Sequence, residues 1–321
     1  MRSDTAVLMG VLFVVAAPAS AQDYPTRPVR LVAPFSPGGA TDRLARLVSQ
    51  KLGERWRQSV IVDNRPGAGG NIGAEVVARA APDGYTLVMG SIGTHSVNVS
   101  LFSKLAYDPI RDFAPVALVM EAEGLLVLHP SVPVKTVKEL IALAKARPGQ
   151  VAYASAGYGT AGHLSGELFK SMAGVDMVHV PYKGNVPAIT DLIAGQTSLL
   201  FATMPTVLPQ VQAGRLKALA VTSSSRSPAA PELPTIAEAA LPGYSVTNWI
   251  GLFAPAGTPR DIVVKLNGET VRTMQAPEIQ KRLTLEGAKF TPRTPDEFTA
   301  FVKSEIAKWA KVVKEAGIRV D

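Results

Sequence analysis

Cysteine is missing from all 321 residues. Its absence excludes a disulfide scaffold, a thiolate zinc site, an iron–sulfur cluster and a cysteine nucleophile. Histidine is scarce. His95, His129, His163 and His179 are the four present, and no two are close in the chain, so no histidine-rich metal site is expected. Charged residues are only 18% against 47% hydrophobic, a balance that excludes a disordered chain. Lys+Arg exceed Asp+Glu by 33 to 26, a net charge of +7. That excess is scattered, with no basic run and no stripe interleaved with aromatics. It reads as a solvated surface, and nucleic-acid binding is not expected. Catalytic signatures are equally thin: there is no G-x-S-x-G elbow, no H-E-x-x-H, and no obvious nucleophile near His179. The chain is therefore read as a non-enzyme that needs no cofactor.

What is present begins at the N-terminus. Arg2 supplies a positive start, Ala6 to Ala17 is an uninterrupted apolar or small run, and Ala19-Ser20-Ala21 is an A-x-A cleavage site. This reads as a signal peptide over 1–21, with a mature start at Gln22. Its removal takes away Arg2 and Asp4 together, so the net charge is unchanged. No later segment reaches the ~20 apolar residues of a spanning helix. A soluble exported protein is expected, periplasmic in a bacterium.

Beyond the leader, short apolar strands alternate with helical periodicity. Val29–Pro34, Val60–Val62 and Tyr85–Met89 read as strands, and Ala40–Leu52 and Gly73–Ala81 as helices. The pattern restarts with strands at 125–128, 151–154, 177–180, 199–201 and 216–221. Helices are expected after Thr136, whose Glu139 completes a capping box, at 161–172 and at 187–194. Glu121 and Glu123 read as loop acids at a crossing between domains. Trp249–Ala254 is a further strand, and Thr258-Pro259 and Thr294-Pro295 mark helix starts. Such alternation argues for βαβ units in parallel sheets, with a ligand at the carboxyl ends of strands, where helices begin.

Two strand-to-helix turns stand out. Pro34-Phe35-Ser36-Pro37-Gly38-Gly39-Ala40-Thr41-Asp42 lets the backbone curl so that successive N–H groups converge, and the helix that follows adds the positive end of its dipole. Ser155-Ala156-Gly157-Tyr158-Gly159-Thr160 offers the same in the second half, with the Ser155 and Thr160 hydroxyls. Taken alone, the first reads equally as a tight βα turn with Asp42 as its cap; as a pair, one in each half, the two could hold a carboxylate with no cationic side chain. His163 reads as a capping or packing residue. Gly157, Gly159 and Gly162 also spell G-x-G-x-x-G. A dinucleotide site would want an acid at the far end of the next strand, whereas Asp176 precedes that strand.

These landmarks, with Val62-Asp63-Asn64-Arg65-Pro66-Gly67, Asp83-Gly84-Tyr85, Val180-Pro181-Tyr182-Lys183-Gly184, Leu241-Pro242-Gly243-Tyr244 and Ala254-Pro255-Ala256-Gly257-Thr258-Pro259, cover the mature chain. In order and spacing it resembles the periplasmic solute receptors of tripartite tricarboxylate transporters, the Bug family. The resemblance implies an α/β, type II periplasmic-binding-protein fold, with two α/β lobes joined by a hinge. Lobe 1 would be 22–121 plus 248–321 and lobe 2 would be 122–247, with hinges near Glu121–Gly124 and Tyr244–Asn248. It implies a small organic carboxylate as ligand, a membrane permease of the tripartite tricarboxylate type as partner, and a monomer. A receptor of the same fold presenting its ligand to a sensor kinase is the alternative. The ligand-binding residues carried over are Phe35, Ser36, Gly38, Gly39 and Asp42 from the first turn and Ser155, Gly157 and Thr160 from the second. Ser91, Thr94, Lys183 and Thr203 join them as lesser candidates.

Overall fold

The computed structural model describes residues 24–315 and Gly317. The signal peptide expected over 1–21, with its cleavage site, lies outside the described residues. In chain order the first half contains β1 (Val29–Ala33), α1 (Ala40–Trp56), β2 (Val60–Asn64), α2 (Asn71–Ala78), β3 (Thr86–Ser91), α3 (Asn98–Leu101) and β4 (Phe113–Leu128). Next come α4 (Val137–Ala146), β5 (Ala152–Ser155), α5 (Ala161–Ala173), β6 (Val178–Pro181), α6 (Asn185–Ile193), β7 (Leu199–Thr203), α7 (Met204–Gln212) and β8 (Lys217–Val221). The chain closes with α8 (Ile236–Ala239), β9 (Thr247–Pro255), α9 (Arg260–Met274), α10 (Pro277–Leu285), β10 (Ala288–Lys289) and α11 (Pro295–Glu315).

The strands follow the order β2-β1-β3-β9-β4-β7-β5-β6, with β8 and β10 also pairing β4. The outer pairs β1–β2, β1–β3, β5–β6 and β5–β7 are parallel, as the βαβ pattern requires. The middle is antiparallel: β9 runs against β3 and β4, and β4 runs against β7 and β8. The expectation of wholly parallel sheets is thereby corrected to a mixed sheet. Residues 113–128, too, form one strand rather than a loop followed by a new start at Leu125. Glu121 and Glu123 consequently lie on β4, not in a loop. β4 changes partners along its length. Phe113–Glu123 pairs β9, and Gly124–Leu128 pairs β7 and β8. At that change Gly124 N–H donates to Thr222 Oγ1 (3.1 Å) and Thr222 Oγ1 donates to the Val246 carbonyl (2.7 Å), lacing the crossing strands together.

Strand periodicity decides which helices cover which face. Val29, Leu31 and Ala33 point to one side and pack with Leu44, Val48 and Leu52 of α1 and Val263 and Leu266 of α9. Val32 and Val88 point to the other, against Ala74 and Val77 of α2 and Val302 of α11. In the second half, Leu199 and Phe201 share a core with Leu164 and Phe169 of α5, while Leu200 and Ala202 face Ala188 and Leu192 of α6 and Val207 of α7. Helix α7 has no counterpart in the sequence reading because Pro205 and Pro209 mask it. Pro205 sits in the first turn, where its missing N–H costs nothing.

The C-terminal helix is fastened to the centre of the sheet by one carboxylate. Trp249 on β9 and Trp309 on α11 both donate indole N–H to Glu305 Oε2, at 3.1 and 3.0 Å, and both rings are buried. Glu305→Ala would orphan two buried donors at ~1–3 kcal/mol each. We expect urea unfolding to show a loss of about 2–5 kcal/mol, and Glu305→Gln, which keeps one acceptor, to lose markedly less.

Candidate functional site

Four helices start at one cleft. Its lining includes Gly39, Ala40 and Thr41 at the start of α1, Thr160, Ala161 and Gly162 at the start of α5, Asn185 opening α6 and Thr203 preceding α7, with Phe35, Ser91, Ile92, Ala156, Ala202 and Asn248. The cleft is narrow, with a free volume of about 50 Å³. An α-helix leaves its first N–H groups without intrahelical acceptors. A capping side chain normally takes some of them, yet α1, α6 and α7 carry no side-chain cap. Only α5 has one, through the Thr160 hydroxyl, which accepts from His163 N. Three of the four helix starts at the cleft thus lack a side-chain cap, and no Lys or Arg lines it. An anion here would meet helix dipoles and N–H groups rather than side-chain cations.

The first turn is built to stay put. Gly38 takes a left-handed φ of +82°, but Gly39 is extended at φ −72°. Gly38 alone therefore needs glycine for conformation, whereas Gly39 leaves room at the cleft wall. Asp42 is buried and accepts from Gly38 N–H (2.9 Å), Arg46 Nε (3.0 Å) and Asn64 Nδ2 (2.9 Å), while Asn64 also holds the Phe35 carbonyl (3.1 Å). Burial alone would raise the Asp42 pKa. The hydrogen bonds from Arg46, Gly38 and Asn64 outweigh it and hold the carboxyl below its ordinary range. The carboxylate is engaged in shaping the turn.

The second turn is tied in the same manner. Gly157 and Gly159 adopt φ +122° and +74°. Ser155 Oγ accepts from Gly157 N–H (3.1 Å), and Thr160 Oγ1 donates to the Gly157 carbonyl (2.7 Å). Of the twelve candidate residues, Phe35, Gly39, Ser91, Thr160 and Thr203 line the cleft. Asp42, Ser155 and Gly157 stand behind it, bonded to the turns themselves. Thr94 is buried against Ser91, whose N–H it accepts at 3.0 Å, and against His95. Ser36, Gly38 and Lys183 sit at the lips. Ser36 N–H and Oγ both donate to the Lys183 carbonyl, and Gly38 lies against Val186.

Asn185 and Asn248 are lining residues that sequence reasoning passed over. Asn185 opens a helix after Tyr182-Lys183-Gly184, the same strand-turn-helix signal as the two main turns. Asn248 gave no local signal, because tertiary structure brings it from the crossing strand β9 to donate to Thr203 Oγ1 (3.2 Å). Among the described residues, no group of three metal-ligating side chains assembles.

The two halves touch around the cleft. Gly69 lies so near the Tyr158 carbonyl that a Cβ would stand 2.1 Å from it, and Gly159 packs against Asn98. Arg43 on α1 donates to the Pro205 carbonyl of α7 (2.7 Å). Behind the second turn, two histidines distant in sequence come together: the His163 and His179 rings are 4.5 Å apart. Burial depresses His163 to about 4, and His179 and His95 to about 3. All three are neutral in the folded protein where the unfolded chain, near 6.5, binds protons. Stability is then fully present above about pH 6.5 and falls as pH drops toward those folded values, by ~1.4 kcal/mol per pH unit for each histidine. We expect unfolding near pH 5.5 to take up about two to three protons, read from the slope of urea stability against pH. A flat slope would contradict this.

Comparison with known proteins agrees with this architecture. Residues 44–318 match the tripartite tricarboxylate transporter family receptor. Protein BugT of Bordetella pertussis is 39% identical over 307 residues, covering 95% of this chain and 94% of that protein. A solved R. palustris protein with adipate is 42% identical, with a TM-score of 0.90, 93% of this chain and 100% of that chain covered. MatC from Rhodopseudomonas palustris, with bound malate, is 38% identical, with a TM-score of 0.87 over 90% of this chain and 100% of that one.

Proposed function

The chain belongs to the tripartite tricarboxylate transporter receptor family, and from that premise we propose that it is an extracytoplasmic receptor for a small organic carboxylate. The ligand is held between two lobes and handed to a membrane permease of the tripartite type. The observation that carries this reading is the ring of helix starts with α1, α6 and α7 uncapped around a cleft without a cationic side chain. A carboxylate leaving water needs its lone pairs satisfied. Charge-assisted hydrogen bonds supply ~1.5–3 kcal/mol each. Three or four account for much of the ~8 kcal/mol of a micromolar complex, after association costs are met. The adipate and malate complexes of relatives support an acid as ligand, and the chain's own leader motif supports export to the periplasm.

In this proposal the backbone donors of Gly39, Ala40 and Thr41 and of Ala161 and Gly162 grip one carboxylate, while Thr160 N–H stays on the Gly157 carbonyl (3.3 Å). Asn185, Thr203 and Asn248 face the rest of the ligand. Ser36, Gly38, Asp42, Ser155 and Gly157 shape the two turns. The lobes are 22–121 plus 248–321 and 122–247, and the partner change of β4 at Glu123–Gly124 supports a hinge there. Among the described residues no helix is long and apolar enough to cross a membrane.

Thermal melting against a panel of dicarboxylates, tricarboxylates, aromatic acids and amino acids tests the reading. At least one acid should raise the melting temperature, by mass action. No shift across the panel at millimolar concentration would overturn it. Closure is tested separately by Gly69→Ala. Gly69 is outside the cleft lining, but its added methyl would collide with the Tyr158 carbonyl when the halves meet. Its φ of +63° adds a backbone cost of ~1–2 kcal/mol. We expect titration calorimetry to show affinity for the panel's best acid reduced about tenfold or more, while the protein remains folded. Unchanged affinity would mean that the closed contact is irrelevant to binding.

A further inference from the structure

We propose that His163 and His179 form a bracket behind the second turn, positioning the Ser155–Thr160 loop so that its helix start faces the cleft; the inference rests on the receptor reading above. Neither imidazole lines the cleft. Each instead holds one end of the loop. His163 Nδ1 accepts the Gly159 N–H (3.2 Å), and His179 Nε2 lies 2.7 Å from Ser155 Oγ, which in turn accepts the Gly157 N–H (3.1 Å). The Gly159 bond fixes the His163 tautomer, since a lone pair on Nδ1 puts the proton on Nε2. The rings are 4.5 Å apart, His179 stacks on Tyr153 (4.8 Å), and Tyr158 packs its edge against both. The bracket is therefore anchored in the core of the second half.

The need for such an anchor follows from the loop's composition. Gly157 and Gly159 are both at positive φ, and a glycine loop has many conformations to lose. Ligand affinity suffers if that ordering occurs only on binding. A loop ordered in advance escapes the cost. The histidines supply the ordering from the side away from the ligand, leaving Ala156, Thr160, Ala161 and Gly162 to face it.

The arrangement holds while both rings are neutral. The groups facing the pair are Lys170 and Glu167 of α5, which are ion-paired at 3.1 Å; Tyr153 of β5, whose hydroxyl donates to Glu167 (2.5 Å); Tyr158 of the loop itself; and Tyr244, which donates to the Ser165 carbonyl. Burial, with Lys170 opposing a positive ring, lowers His163 to about 4; burial and the neighbouring His163 lower His179 to about 3, with Glu167 pulling the other way. Once His163 gains a proton at Nδ1, the acceptor for Gly159 N–H is gone.

The test reads the loop without any ligand and then with one. Amide hydrogen exchange of Gly157 and Gly159 is compared between the wild type, His163→Leu, His163→Gln and His179→Phe. The bracket predicts exchange at Gly159 about tenfold faster in His163→Leu, with the amides of β7 unchanged, and recovery in His163→Gln, whose carbonyl restores an acceptor. His179→Phe keeps the ring against Tyr153 and should speed exchange at Gly157. Nitrogen NMR of the wild type should show His163 neutral with its proton on Nε2 down to about pH 5. In calorimetry with adipate as the probe, His163→Leu should bind about tenfold more weakly than the wild type. Unchanged exchange at both glycines, or a rise spread evenly through the β7 amides, would overturn the bracket and leave the histidines as ordinary core residues. If the wild type ignored adipate and the rest of the acid panel, the receptor reading would fail, while the exchange data would still decide whether the bracket exists.

Discussion

Everything in this fold bears on one electrostatic constraint: the helix starts of α1, α6 and α7 carry no side-chain cap, and they meet the start of α5 in the same small space. Backbone N–H groups are costly when buried unpaired. A protein that keeps them exposed to a cleft rather than capping them has a standing preference for an anion with several lone pairs. The lack of Lys and Arg in the lining strengthens the point. A cationic side chain carries its own charge and entropy, whereas the peptide dipoles of α1, α5, α6 and α7 are already fixed by the helices behind them. The donors cannot follow a ligand that fits poorly, so selectivity falls to the remaining walls of the cleft.

The topology explains how four helix starts come together. Parallel βα units place a helix start at the carboxyl end of each strand. Two sets of such units face one another because β4 and β9 run through the middle in the opposite sense and link them. The partner change at Glu123–Gly124, laced by Thr222, lies at the base of the cleft's two walls. Short contacts such as Gly69 with Tyr158 and Ser36 with Lys183 lie at the rim. Gly69, Gly157 and Gly159 serve both close approach and a positive φ, whereas Gly38 serves conformation.

Much of this was legible from residue order. The strand-turn-helix periodicity located β1, α1, β5 and α5 within a few residues, and the two glycine turns were recognisable by composition as strand-to-helix turns, which the fold brings to one cleft. Three features were not. The antiparallel centre could not be read because an antiparallel strand buried on both faces has the same apolar run as a parallel one. Helix α7 was hidden by Pro205 and Pro209, which as local signals argue against a helix although the first turn tolerates one of them. The roles within the site were blurred because a polar residue in a binding turn can face the ligand or support the loop. Asp42 and Ser155 support, Ser91 faces inward, Thr160 does both, and only tertiary contacts separate the roles. Asn248 and the His163–His179 pair belong to the same class, joined by folding across long stretches of chain.

The central claim is that peptide dipoles, not side-chain cations, hold an acid. A crystal structure with a bound dicarboxylate tests it most directly. The account predicts carboxylate oxygens within hydrogen-bonding distance of main-chain N–H groups from the first turns of α1 and α5. A carboxylate paired to a lysine or arginine side chain, with those N–H groups turned to other partners, would contradict it.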